Sequence, residues 1–143
     1  MDEASITQFI TESFPAVETT TVFGYTFFFY RDDHKLPFAT LAASDNDYDK
    51  VSHLNRPGVF RLNVGVSKQT FQRLFGSDRT DLGRYDFTAL DTIMPHPDYA
   101  AQHFICVLNP ASATVESVRG LLAEAYQIAV RRFRKREGEN DAS

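Results

Sequence analysis

Apolar residues recur at helical spacing near both ends of the chain and alternate with polar residues between them. The first stripe predicts a helix over residues 4–13, which Pro15 ends because the residue before a proline avoids the helical region. The last stripe predicts a helix that starts near 112 or 114 and runs to about 136. Its members are Val115, Val118, Leu122, Ala125, Ala129 and Phe133.

Strand patterns occupy the middle of the chain. The segments with this pattern are 17–23, 25–31, 37–44, 58–64 and the continuous apolar run 103–109. Ser67 and Gly76 bracket a short helix as its N-cap and its C-terminal stop, and a second short helix is expected over 86–94. This order predicts an α+β domain, in which an antiparallel sheet of about five strands is packed by the N-terminal helix and the long C-terminal helix.

The second predicted strand, YTFFFYR, carries aromatic residues on both of its faces. A strand with only one buried face alternates with polar residues, so this pattern predicts that both faces are covered. We expect a helix on one side and a loop, a partner or a ligand on the other.

The length and composition predict a single globular domain. A chain of 143 residues lies in the range of single domains, so we expect one domain over 1–136 and a disordered tail over 137–143.

The only cysteine, Cys106, cannot form an internal disulfide and lies in an apolar run, where a buried thiol is expected. The first residues, MDEASITQF, are acidic, and no run approaches the ~20 apolar residues of a membrane helix. The sequence therefore predicts a soluble, cytoplasmic protein.

Three stretches carry a resemblance to a known family: PFATLAASD, HLNRPGVFRLN and IMPHPDYAAQHFICVLNP. Over roughly residues 5–135 the chain resembles a bacterial family of unknown function, number 6194 in the unknown-function series. RLNVGVSKQTFQRLF and HFICVLNP are also loosely similar to the strand-to-helix segment and the histidine–aromatic strand of MmcQ/YjbR-like proteins, which implies the element order of that group. The chain departs from the group in a longer insertion at 77–95 and in Phe104, where the group usually has tryptophan. The resemblance implies binding to DNA or to partner proteins only at the level of the fold, and a fold does not determine a function.

The residues that we expect to bind a ligand are polar side chains on one surface. Arg61 and Asn63 share a face of their strand, and the preceding loop brings Arg56 near them. Arginines with amide donors bind carboxylates and phosphates, so a small anionic ligand is expected. His96 and His103 belong to the segment that would close over this face. We therefore predict a non-enzymatic binding or interaction module, with an anionic ligand or a protein partner and with a homodimer as a further expectation. The simpler interpretation of Arg61 is a solvated sheet face and a pair with one of the nineteen acids.

Two other functions stay open. One is a small enzyme in which His96 or His103 is the general base and Asp91 or Asp98 orients it. The other is nucleic-acid binding by the basic cluster at 131–136, although the net charge of −4 argues against it. No cofactor is predicted, and no metal, because the spacing of the two histidines matches no zinc pattern.

Overall fold

The computed structural model describes residues 1–76 and 81–141, with side chains as far as residue 138. In these ranges the α-helices are α1 (Glu3–Ser13), α2 (Lys68–Phe75) and α3 (Val115–Asp141). The strands are β1 (Val17–Val22), β2 (Tyr25–Tyr30), β3 (Ala39–Ala42), β4 (Arg61–Gly65), β5 (Met94–Pro95) and β6 (Phe104–Leu108). Short 3-10 helices lie at Leu82–Arg84 and Ala100–Gln102.

The strands form one antiparallel sheet in the order β1-β2-β3-β4-β6-β5. The first four strands are neighbours in chain order, and β6 then lies between β4 and β5. The predicted α+β class, the antiparallel sheet and the long C-terminal helix are confirmed. The additional strand, β5, has only two residues and is held by its pairing with β6, so no alternating pattern along the chain could reveal it.

The helix expected over 86–94 is wrong. Asp86 caps a turn instead, because its Oδ1 accepts bonds from the backbone nitrogen (3.0 Å) and the hydroxyl (2.6 Å) of Thr88. Asp91 has a left-handed φ of 51°, which ends helical geometry. Its carboxylate accepts bonds from three backbone N–H groups and one hydroxyl between residues 111 and 114. Asp91 therefore caps the start of α3 from a distant part of the chain.

The helices cover one face of the sheet and form the main core there. Its fully buried members include Ile6, Ile10, Phe28, Leu62, Val64, Ile105, Val107, Val118 and Leu122. Each side chain of this size stabilises the fold by about 1.5–3 kcal/mol when it leaves water. The helical periodicity of α1 and α3 thus agrees with their packing on this face.

Loops cover one end of the opposite face. A second cluster lies beneath them, made of Ala42, Leu54, Val59, Phe87, Met94, Cys106 and Leu108. The prediction that Cys106 is buried is confirmed, and burial raises the pKa of its thiol to about 12, so the thiol stays protonated. The other end of this face is open and forms a pocket.

The last helix continues past its predicted end at 136, as far as Asp141. Within the predicted tail, residues 142 and 143 lie outside the described residues, and residues 77–80 lie outside them as well. The limits of the domain and the disorder of the tail stay predictions. In the part of the chain that the structure describes, no helix has the length and apolar character needed to cross a membrane.

Candidate functional site

The open face of the sheet carries a pocket of about 1030 Å³. The side chains of Phe27, Thr40 and Asn63 form its floor. They lie side by side on neighbouring strands, because Phe27 pairs with Thr40 and Thr40 pairs with Asn63. Phe104 forms a wall and pairs with Gly65, where an added Cβ would lie 3.0 Å from the Phe104 ring. Glycine at position 65 therefore leaves the space that the ring occupies.

Exposed apolar side chains surround the mouth of the pocket. Phe23 is 93% exposed at the tip of the β1–β2 hairpin, and Tyr48 is 96% exposed in the loop after β3. Of the seven large exposed hydrophobic side chains among the described residues, five line this pocket: Val22, Phe23, Leu36, Tyr48 and Tyr99. Contiguous exposed apolar surface on a soluble protein usually marks a binding surface, so the clustering points to this end of the sheet.

The hairpin turn holds Phe23 in a strained backbone conformation. Val22 pairs with Tyr25, so Phe23 and Gly24 form a two-residue turn, with φ values of 50° and 81°. Turns of this kind need positive φ at both positions, which glycine and asparagine adopt readily and phenylalanine does not. An exposed aromatic ring that is kept here at a cost of roughly 1–3 kcal/mol supports a role for it at the mouth.

A buried cation, Arg61, lies at the base of the pocket and is only 1% exposed. Its guanidinium makes two bonds to Asp49, from Nη1 to Oδ1 (3.1 Å) and from Nη2 to Oδ2 (2.6 Å). Nη1 also donates to Ser52 Oγ, and Nε donates to Asn63 Oδ1, both over 3.0 Å. Arg61 therefore pairs with an acid, as the simpler interpretation held, but it is buried rather than solvated.

Neutral polar groups extend this network. The Tyr25 hydroxyl donates to Asp49 Oδ2 and accepts from Asn46 Nδ2, both over 2.8 Å. On the other side, Asn63 Nδ2 donates to Thr40 Oγ1 over 2.9 Å. The network thus links the loop after β3 to the central strands.

Arg61 and Asp49 each keep the other in its charged form. Burial raises the pKa of Asp49, but the hydrogen bonds and the charge of Arg61 outweigh it and hold this pKa below its usual range. Burial likewise lowers the pKa of Arg61, and Asp49 more than reverses that effect. Burial and the hydrogen bond to Asp49 raise the pKa of Tyr25, so its hydroxyl stays protonated. The cluster therefore holds one positive and one negative charge and is neutral as a whole.

His96 lines the same pocket and is 3% exposed. Its Nδ1 accepts hydrogen bonds from the backbone N–H groups of Asp98 and Tyr99, each over 3.0 Å. A ring nitrogen that accepts carries no hydrogen, so the hydrogen of the neutral imidazole is on Nε2. Burial and the charge of Arg61 lower the pKa of His96 to about 3, although Asp49 opposes them. The ring is therefore neutral at physiological pH, and its Nε2 has no hydrogen-bond partner among the described residues.

The structure brings together three of the five residues expected to bind a ligand, namely Arg61, Asn63 and His96. Arg56 lies outside the lining, because its guanidinium donates to three backbone carbonyls and so holds its own loop in place. His103 lies outside it as well. It follows the second 3-10 helix with a left-handed φ of 65° and packs on the Phe71 ring, with 5.6 Å between the ring centroids.

Sequence reasoning missed Asp49 and the hydrogen-bonding role of the Tyr25 hydroxyl. Asp49 lies in the segment DNDYDK, among several acids in a polar loop, and nothing in its neighbours distinguishes it. The one available signal was indirect, since a buried arginine needs an acid and this loop is rich in them.

Neither carboxylate that was expected to orient a histidine base is hydrogen-bonded to His96. Asp91 holds the start of α3, and Asp98 reaches His96 through its backbone N–H and not through its carboxylate. A base must also offer an unprotonated nitrogen to its substrate, whereas His96 offers an N–H. The geometry is that of a fixed hydrogen-bond donor. Among the described side chains, in residues 1–76 and 81–138, no group of three or more His, Cys, Asp and Glu could hold a metal ion.

Part of the basic cluster at 131–136 is used inside the protein. Arg136 Nη2 lies 2.6 Å from Oδ2 of the buried Asp33, and Arg132 Nε lies 3.7 Å from the same atom. Arg132 Nη2 also donates to the carbonyl oxygen of Leu36 over 3.2 Å. Burial raises the pKa of Asp33, but the hydrogen bond and the charge of Arg136 outweigh burial and hold this pKa below its usual range. These contacts fasten the loop after β2, which carries Leu36 of the pocket mouth, to α3.

The sequence model of one protein family matches residues 1–138, and its description is Family of unknown function (DUF6194). No curated protein and no solved structure matches the chain. The fold and the pocket are therefore the features of this protein that indicate its function.

Proposed function

The chain belongs to this family of unknown function, and we propose that it is a non-enzymatic binding module whose pocket takes one small, largely apolar molecule. The observation that carries the proposal is the pocket of about 1030 Å³ on the open sheet face, with aromatic walls over a polar network. Sites for small molecules are concave and mostly apolar, with a few placed polar groups that orient the ligand.

The lining favours a neutral ligand over the small anionic ligand predicted from the sequence. Arg61 is the cation of the lining, and Asp49 neutralises it. The other charged side chains of the lining are Asp47 and Asp98, which would repel an anion. The anionic ligand stays a prediction that the same binding experiments test.

The alternatives are less well supported. A general base at His96 lacks an orienting carboxylate, since its Nδ1 is bonded to backbone amides. Nucleic-acid binding by the basic cluster is weakened because Arg132 and Arg136 pair with Asp33. A protein partner or a homodimer would use the exposed aromatic mouth, and either would appear as a change of mass in light scattering.

The finer predictions belong to this proposal. From the sequence resemblance we propose a bacterial origin and an MmcQ/YjbR-like element order, and we also propose a cytoplasmic location. We also propose one domain over 1–136, which the single continuous sheet supports. Limited proteolysis tests the domain limits, since one protected core is expected and two protected fragments would contradict it.

Ligand-observed NMR with a library of small aromatic fragments tests the proposal. We expect several fragments to bind, and we expect Phe27→Ala to weaken them because it removes part of the pocket floor. Leu90→Ala, an exposed leucine outside the lining, is the matched control and should leave binding unchanged. A screen without hits, or hits unaffected by Phe27→Ala in a folded variant, would show that the pocket is not a binding site.

A further inference from the structure

The polar groups at the base of the pocket largely satisfy one another. Arg61 uses four of its N–H donors inside the protein, two on Asp49 and one each on Ser52 and Asn63. The Tyr25 hydroxyl both donates and accepts, and both oxygens of Asp49 accept. This network therefore has no net charge and little hydrogen-bonding capacity left for a ligand.

His96 differs from these groups. Its ring is buried and lines the pocket, and the Nδ1 side is fixed by two backbone amides. The opposite nitrogen, Nε2, bears a hydrogen and has no acceptor among the described residues. Of the described side chains, only that of Arg132 has a buried nitrogen or oxygen atom without a partner, so Nε2 of His96 is open to solvent in the pocket, and a ligand acceptor would take the place of water there.

The rings around the pocket define the rest of a ligand. Tyr25, Phe27, Tyr99 and Phe104 line it, and Tyr25 and Phe27 lie in a tilted arrangement with 6.1 Å between their centroids. Aromatic rings contact one another favourably at centroid distances of about 4.5–7 Å, so an aromatic ligand fits such walls.

We infer that the pocket selects a neutral aromatic molecule with a hydrogen-bond acceptor, such as a ketone or amide carbonyl, and that the Nε2–H of His96 donates to that acceptor. This inference rests on the proposed function, because it names the ligand class of the same pocket. A ligand that offers only donors is disfavoured, since Nδ1 is already engaged and the ring cannot present an acceptor. An anion is disfavoured by Asp47 and Asp98.

Three naphthalene derivatives of similar shape test the inference on the full chain. Acetylnaphthalene is neutral and has a carbonyl, isopropenylnaphthalene replaces that oxygen with carbon, and naphthoate carries a negative charge. We expect the ketone to bind about tenfold more tightly than the hydrocarbon, because of these two only the ketone has an oxygen that can accept a hydrogen bond from His96. We expect naphthoate to bind more weakly than the ketone.

The variant His96→Asn separates the ligand contact from the structural role of the ring. The asparagine oxygen takes the place of Nδ1 as acceptor for the two backbone amides, but the side chain is too short to reach the position of Nε2. We expect the variant to bind the ketone about tenfold more weakly and the hydrocarbon with unchanged affinity. His103→Asn is the matched control, since asparagine tolerates the left-handed φ of 65° and the position lies outside the lining.

The outcomes distinguish the two proposals. Equal affinities for ketone and hydrocarbon, tightest binding of naphthoate, or a ketone affinity unchanged by His96→Asn would each overturn the inference, while fragment binding would still support the proposed function. If no naphthalene derivative binds although other fragments do, the ligand class is wrong. If neither binds, the proposed function fails as well.

Discussion

Acid should destabilise this protein through His96. The folded ring has a pKa of about 3, whereas the same side chain in an unfolded chain titrates near 6.5. When the pH lies between these two pKa values, His96 is protonated in the unfolded state but not in the folded state. The free energy of unfolding therefore falls as the pH falls. The contribution is complete above the unfolded pKa and is lost progressively from there down to the folded pKa.

The size of the effect follows from the two pKa values. Integrating the proton linkage from about pH 7.5 to about pH 5 gives a loss of ~2 kcal/mol, and the loss approaches ~5 kcal/mol below both values. A domain of this size is stable by only about 5–15 kcal/mol, so the smaller loss is already measurable.

Urea unfolding at both pH values, followed by far-ultraviolet circular dichroism, measures the loss. His96→Asn is the reference, because asparagine does not titrate and preserves the acceptor for the two backbone amides. We expect the wild-type protein to lose ~2 kcal/mol more than the variant between the two pH values. Parallel losses in the two proteins, or an NMR titration of His96 with a midpoint near 6.5, would refute the buried neutral ring.

Three further predictions concern the sheet and its caps. Gly65→Ala should force the Phe104 ring to move and weaken fragment binding several-fold, with a cost in stability of about 1 kcal/mol; unchanged affinity in a fluorescence titration would contradict the tight packing. Asp49→Asn should cost about 3–5 kcal/mol in urea unfolding, because it leaves the charge of Arg61 buried without its partner; a cost near zero would mean that water reaches the guanidinium. Asp91→Ala should lower the thermal midpoint, because the segment 111–114 that leads into α3 loses four hydrogen bonds; an unchanged midpoint would show that solvent replaces this cap.

Local periodicity was enough to predict the helices at the two ends and the longer strands. The stripe from Val115 to Phe133 is the face of α3 that packs on the sheet, and the alternation before Ser67 gives the core-facing side of β4. Ser67 is indeed an N-cap, bonded to the backbone nitrogen of Thr70 over 3.1 Å. Periodicity failed between residues 86 and 94, where Asp91 adopts a left-handed conformation to bind the start of α3. That contact joins distant segments, so no local pattern contains it.

The candidate site was only half visible in the sequence. Alternation placed Arg61 and Asn63 on one strand face, and His96 was a candidate because its segment was expected to close over that face. The simpler interpretation of Arg61, as a solvated side chain, missed its burial. The burial of Arg61 depends on Asp49, which is twelve residues away and supplies the opposing charge. Partners of this kind are set by tertiary packing, so residue types alone suggest the chemistry but not the closed, neutral network that it forms.

The contacts of Arg132 and Arg136 join the C-terminal half of α3 to the mouth of the pocket. Arg132 and Arg136 bind the buried Asp33 and the carbonyl of Leu36, and Leu36 itself is part of the mouth. We therefore expect a ligand that shifts Leu36 to disturb the turns of α3 around Arg132 and Arg136, and loss of helical structure there to loosen one side of the entrance. Thermodynamic linkage would make the two effects reciprocal, so we expect amide hydrogen exchange in these turns to change when a ligand fills the pocket on the other face of the sheet.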